Sequence, residues 1–382
     1  MAYCIKWGYS MNDNIENQIT EYENKEYIEE RNDIEGNPND EFVDDYDILE
    51  NEVISYVGNY SLLEYSNKLN KEFIKPNFQR NEVWDNKAKS KLIESFLAAY
   101  PVPPVFLFKE KGKESYLIID GFQRLSAIKE FFNNEFKLNV KNKNYRNKFY
   151  SNLSDEAKAK LQNTFLNCVI VREVEPSGKS FLYNLFERLN TGGKSLNAME
   201  ARRAISYGKL IQSLEELNKY SNWRKIIDKQ NIDNRFLDLE LLLRLLALTQ
   251  CYDKVDNEIK YYINNKERTY SNMKTFLNDF VENNINNTFD EFSLVFKDTC
   301  DLVINELGIN PFKLNTTKPN YMILDSVMTA ILILKAKISG LNSKFNNFKQ
   351  TKIGMFEDKS GTLSSGRLKK RIKLAIEAFE DA

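Results

Sequence analysis

The chain has 382 residues, enough for two or three domains, and its 42% apolar content supports sizeable cores. It contains no histidine, which excludes a histidine general base, a histidine-containing zinc site and histidine-dependent nuclease chemistry. The net charge of −1 conceals an asymmetry, because residues 1–50 hold 15 acidic and 3 basic residues while the remainder holds 40 acidic and 51 basic. A basic body of this kind attracts nucleic acid or nucleotide, or simply carries a solvated lysine-rich face.

Residues 1–45 read as an acidic, flexible arm. No secretory pattern follows Met1, and the four cysteines share no short spacing, so a cytoplasmic protein without a disulfide scaffold is expected. From Tyr46 to Lys71 the pattern reads as helical. KAKSKLIESFLAAY, 87–100, predicts an amphipathic helix stopped by Pro101. VFLFKE and SYLIID follow as strands joined through Lys111-Gly112, and a helix is expected from about 122 to 133.

Another helix opens near Ser154, and FLNCVIVREV, 165–174, is a β-branched strand. SFLYNLFERLN, 180–190, predicts a helix ending at Thr191-Gly192-Gly193. Beyond it the pattern is nearly all helix from Asn197 to about Ile338, and a basic helix, RLKKRIKLAIEAF, ends the chain. The run Leu237 to Leu248 is interrupted by Glu240 and Arg244, so it reads as a buried helix rather than a membrane span. Glu240 and Arg244 have the spacing of a pair along one helix. The whole is an α+β protein: a small α/β domain over 46–195, then a mostly helical domain over 196–382.

Ser115 to Leu125, SYLIIDGFQRL, is the segment richest in chemistry. A strand runs into Asp120-Gly121 and a helix then opens with Gln123 and Arg124, a geometry that presents free N–H groups and a guanidinium to an anion. Capping alone also accounts for Asp120 and Gln123, which have capping-box spacing. Gln79-Arg80 forms a second polar pair, in a loop fixed by Trp84. In FERLNTGGKSL, 186–196, the GKS triplet is not a P-loop, because Arg188 stands where that motif needs glycine. The amides of Gly192-Gly193 suit an anion-binding nest. The cluster Arg367 to Lys373 either meets phosphates or forms a solvated helix face.

FQRNEVW, LIIDGFQRLSAI and FERLNTGGKSLNAMEAR, in that order, resemble the N-terminal domain of the GmrSD restriction family, within the ParB/sulfiredoxin-like group, over roughly 60–250. The resemblance implies a ParB/sulfiredoxin-like domain whose Asp-Gly-Gln-Gln-Arg motif binds and hydrolyses nucleotide, in proteins that restrict foreign DNA. Asp120, Gly121, Gln123 and Arg124 fit the motif, and Phe122 departs from it. On this expectation Arg80 and Arg124 clamp phosphates, and Asp120 holds Mg2+ or positions water. Gln79 and Gln123 orient base, phosphate or water, while Gly121, Arg188, Asn190, Thr191, Gly192 and Gly193 help to hold an NTP.

The family's histidine-containing nuclease has no counterpart here. DNA is therefore expected as a partner, together with a separate nuclease or effector chain; self-association is allowed and a membrane is not expected. Two alternatives stay open: a non-catalytic DNA-binding module, and a metal-dependent nuclease using carboxylates.

Overall fold

The computed structural model describes residues 27–31, 34, 53–75, 84–173, 182, 183, 185, 197–253, 255–263, 266–270, 272–313, 318–352 and 365–380. They divide into two compact units, one drawn from Asp44–Leu196 and Glu200–Tyr207, the other from Met1–Val43, Asn197–Met199 and Gly208–Ala382.

The first unit is built on a five-stranded mixed sheet of β1 (Val53–Ser61), β2 (Phe73–Ile74), β3 (Val105–Lys109), β4 (Tyr116–Asp120) and β5 (Phe165–Glu173), in the order β1-β5-β3-β4-β2. β5 runs antiparallel to β1 and parallel to β3, and β4 runs antiparallel to β3 and parallel to β2. The helices α1 (Leu62–Lys68), α2 (Asn86–Leu97), α3 (Phe122–Phe132) and α4 (Asp155–Asn163) supply the larger core. Leu62, Tyr65, Ile93, Phe96, Leu125, Ile128, Phe131 and Leu161 pack there with Leu107, Ile118, Leu166 and Ile170 from the strands. A smaller cluster gathers Phe108, Ile119 and Val171 with Leu182 and Ala204. Ile118 and Ile119 thus serve opposite faces of β4, as the two-residue period of a strand requires. A sheet covered on both sides explains why YLII is apolar without alternation.

The helical reading of 46–71 is corrected in part. VISYVGNYS is β1, and only Leu62–Lys68 is helical. β-branched and aromatic residues favour a pleated surface, and β1 pairs along its whole length with the equally β-branched β5. Ser61 ends the strand and caps α1: its Oγ accepts from the Glu64 N–H at 3.2 Å, and its own N–H donates to Glu64 Oε2 at 2.7 Å.

In the second unit, α5 (Ala198–Ile205), which starts within it and continues into the first, is followed by α6 (Lys209–Asn218), α7 (Ser221–Ile226) and α8 (Leu237–Gln250). Four short strands then interrupt the expected run of helices. β6 (Tyr252–Asp253) pairs with β7 (Glu258–Ile259), and β8 (Tyr261–Ile263) with β9 (Lys266–Arg268). α9 (Met273–Asn283), α10 (Asp290–Leu307), α11 (Tyr321–Ile333), α12 (Leu341–Lys352) and α13 (Ser365–Phe379) complete it.

Every residue of α8 from Leu237 to Leu248 is buried, and among the described residues no helix is long and apolar enough to cross a membrane. Arg244 pairs with Asp325 of α11 at 2.5 Å, so its partner comes from another helix rather than only from its own. Arg371 of the basic α13 is buried as well, where desolvation pushes its guanidinium down to about 10 against the favourable pull of Asp325. That cluster is therefore split: Arg371 faces the interior while Lys370 and Lys373 stay exposed.

Part of the acidic segment is also fixed. Glu30 accepts from Lys229 Nζ and from the Tyr321 hydroxyl at 2.6 Å each, and the Ile34 carbonyl accepts from Arg244. These contacts explain why residues 27–31 and Ile34 are held rather than trailing in a free arm. Cys168, Cys251 and Cys300 are free thiols.

Replacing Ser61 by Ala should cost about 1 kcal/mol of stability. The Ser61 N–H, and its hydroxyl at 2.8 Å, both donate to Glu64 Oε2 and hold the carboxyl below the usual carboxylate range. Its contribution is therefore complete above that range and is lost as pH falls through the lowered value. Urea unfolding of the parent and Ser61→Ala should differ most near neutrality and less in acid, where the hydroxyl loses its carboxylate acceptor but still accepts from the Glu64 N–H; an unchanged difference at low pH would exclude the capping carboxylate as a contributor.

Candidate functional site

The end of β4 and the start of α3 form the turn in which the sequence concentrates its polar chemistry. β3 and β4 are not in uniform register: Phe106 lies opposite Asp120 and Leu107 opposite Ile118, so Ile119 is an extra residue on β4. A bulge bends a strand and re-aims the next side chain, and here that side chain is Asp120. Gly121 follows at φ 98° and ψ 8°, in the left-handed region. A Cβ at this position would stand 3.1 Å from Val105 Cγ2 and 3.2 Å from an Arg124 terminal nitrogen. Glycine is therefore required both by conformation and by space.

The expected capping box is not formed. Gly121 is the N-cap of α3, and no side chain caps the helix. Asp120 instead accepts from Arg124 at 2.6 Å, one helical turn on, because the bulge and the left-handed glycine turn its carboxylate toward the guanidinium. The other terminal nitrogen of Arg124 donates to the carbonyls of Pro103 and, at 3.2 Å, Pro104. Arg124 is only 11% exposed, whereas the Asp120 side chain is 38% exposed. The guanidinium is thus turned into the protein, bracing Asp120 and the chain leading into β3. Gln123 Oε1 accepts the backbone N–H of Trp84 at 3.3 Å, tying α3 to the residue that precedes α2. Phe122 carries the Lys75 ammonium 4.8 Å from its ring centroid, so the motif's odd residue meets a cation.

Of the other expected site residues, Gln79, Arg80, Arg188, Asn190, Thr191, Gly192 and Gly193 lie outside the described residues. Among the described residues, no three Asp, Glu or Cys side chains come together in a way that could hold a metal ion. Asp120, the carboxylate expected to hold Mg2+, has a guanidinium on one oxygen and a side chain that is 38% exposed. The start of α3 offers N–H groups without a side-chain cap. This donor set suits an anion better than a divalent cation. The bulge and the Arg124 brace were not legible from the motif alone, since Arg124 reaches carbonyls twenty residues earlier in the chain.

Gly121→Ala should destabilise the first unit by about 1 to 3 kcal/mol, from the left-handed backbone and the contact with Val105. Thermal unfolding measures it, and a change within error would show that the turn relaxes freely.

No curated protein matches the chain. It is similar to two solved structures, described as the C2221 form of a Pnob8-like ParB-N domain and as a pNOB8-like ParB N-domain. The first is 11% identical with a TM-score of 0.25, covering 86% of this chain and 99% of that one. The second is 12% identical with a TM-score of 0.25, covering 85% and 96%. Residues 59–207 match the family model of the GmrSD restriction endonuclease, N-terminal domain, a span that begins in β1 and takes in the bulge, Gly121 and Arg124. Over that segment, which is less than half of its length, the chain is similar to the GmrSD N-terminal domain.

Proposed function

We propose that this chain is a DNA-associated recognition component of a defence that restricts foreign DNA, acting as a binding module rather than as the nuclease. The observation that carries the reading is the match of residues 59–207 to the GmrSD restriction endonuclease N-terminal domain. Two features of the chain support the non-catalytic form. Arg124 is held inward by Asp120 at 2.6 Å and by the Pro103 and Pro104 carbonyls, so it could clamp a phosphate only by leaving these partners. The chain also has no histidine, so cutting by a histidine-dependent route would need a separate effector chain.

A second reading keeps the nucleotide. The start of α3, which no side chain caps, and the partly exposed Asp120 side chain favour it, with an NTP phosphate on the α3 N–H groups and Mg2+ shared between that phosphate and Asp120. Gln123 would then orient phosphate or water, with Gln79, Arg80 and the Arg188 to Gly193 segment closing over the ligand.

The two readings separate in one set of measurements. The module reading expects duplex DNA binding whose logarithm falls linearly with the logarithm of salt. It also expects DNA affinity within about twofold for Asp120→Ala, and no NTP turnover with Mg2+ or Mn2+. Turnover that disappears in Asp120→Ala would replace it by the NTPase reading, and absence of both DNA binding and turnover would overturn both.

A further inference from the structure

Between Glu135 and Asp155 the sequence contains no acidic residue, and within that window Lys137, Lys141, Lys143, Arg146 and Lys148 supply five cations. The stretch is an ordered loop rather than a tail. Leu138 N–H donates to the Lys148 carbonyl at 3.0 Å and Asn147 N–H to the Leu138 carbonyl at 2.8 Å, closing the loop at its neck. Arg146 N–H donates to the Asn142 carbonyl at 2.9 Å, and Asn147 turns the chain at φ 58°. Phe136, Leu138 and Val140 are buried in the main core, with Tyr145 packed against it. The Asn139 N–H donates to the buried Ser90 Oγ at 2.8 Å, which pins the loop to α2.

Apolar residues at 136, 138 and 140 face inward, so the residues between and after them face solvent. Lys137, Lys141, Lys143 and Arg146 are exposed, as are Asn139, Asn142, Asn144 and Asn147. Several other lysines of this unit have carboxylate partners, Lys68 with Glu72, Lys89 with Glu130, Lys113 with Glu110 and Lys158 with Asp155, although among the described residues Lys71, Lys87, Lys91 and Lys160 do not. Among the described residues, none of the five loop cations forms an ion pair. Lys137 lies 5.2 Å from the Phe149 ring centroid, but gathering cations without carboxylate partners still costs stability through self-repulsion.

We infer that residues 137–148 form a docking loop for the phosphate backbone of duplex DNA. The inference rests on the DNA-associated reading above and assigns that reading a surface distinct from the Asp120 turn. Cations interspersed with exposed amides suit phosphate and sugar oxygens, which set position rather than sequence. The loop's aromatic ring, Tyr145, is packed inward, so it offers no stacking platform of the kind that holds single-stranded bases. Recognition through this loop is therefore of charge and groove spacing.

The experiment is a salt titration of full-length chain with a labelled duplex of mixed sequence, using K141Q/K143Q/R146Q. A charge-matched control, K225Q/K297Q/K337Q, alters exposed lysines of the helical unit. Each phosphate contact contributes about 0.9 to the slope of log affinity against log salt, so the loop variant should lower that slope by about 2 to 3 and weaken binding at least about tenfold near 0.1 M salt. The control should stay near the parent, and circular dichroism should show equal helicity in all three.

An equal loss in loop variant and control would overturn the loop, leaving net charge as the cause. A loop variant that binds like the parent would overturn it too, while the DNA reading stands. Failure of the parent to bind any duplex would remove the DNA reading itself. Parent binding polyglutamate more tightly than duplex would reassign the loop to an acidic protein partner and overturn the proposal.

Discussion

One guanidinium organises the turn on which the functional reading depends. Arg124 joins three pieces of chain that arrive from different directions: the end of β4 through Asp120, the first turn of α3 through its own backbone, and the Pro103-Pro104 approach to β3 through two carbonyls. The prolines matter here because they hold that approach extended and lack N–H groups of their own, leaving their carbonyls as the polar handles. A planar multi-donor side chain meets acceptors in several directions at once, which an ammonium cannot do with the same geometry. The bulge at Ile119 and the left-handed Gly121 have value only because this brace fixes where they lead.

The family match and the geometry bear on different questions. The match covers β2 to β5, the bulge and the glycine turn, and says what that segment is similar to. The geometry describes a carboxylate already neutralised by its neighbour. A nucleotide phosphate arriving at α3 would have to compete with Asp120 for Arg124 or rely on backbone N–H groups. That competition weakens Arg124 as a phosphate clamp.

Much of the first unit was legible in the sequence because its elements obey simple periods. The helix expected at 122–133 is Phe122–Phe132, and the strand expected at 165–174 is Phe165–Glu173. The misread element, β1, has apolar residues whose spacing satisfies a helical template as well. What decides the matter is its partner: Gly58 lets the strand approach Cys168 and Ile170, where a Cβ would come within 3.0 and 3.1 Å. Long-range pairing of that kind leaves no local mark. The capping box at Asp120 failed too. The helix starts one residue later than that spacing needs, with Gly121 as its N-cap, so Asp120 lies outside it and its carboxylate takes the charged partner Arg124 instead. Ser61 and Glu64, which have no such competitor, do form the box.

The β1–β5 ladder also sets the order in which this unit can be made. Val53 faces Glu173 and Ser61 faces Phe165, so the first strand to leave the ribosome pairs with the last. At about 5 to 20 residues per second, β1 waits on the order of 5 to 20 seconds for its partner. Throughout that interval a β-branched, aromatic strand has open edges, and Ile54, Tyr56 and Val57 remain outward-facing even after the ladder closes. The hairpin of β3 and β4 with α3 lies within residues 105–132, so the glycine turn needs no partner from so far along the chain.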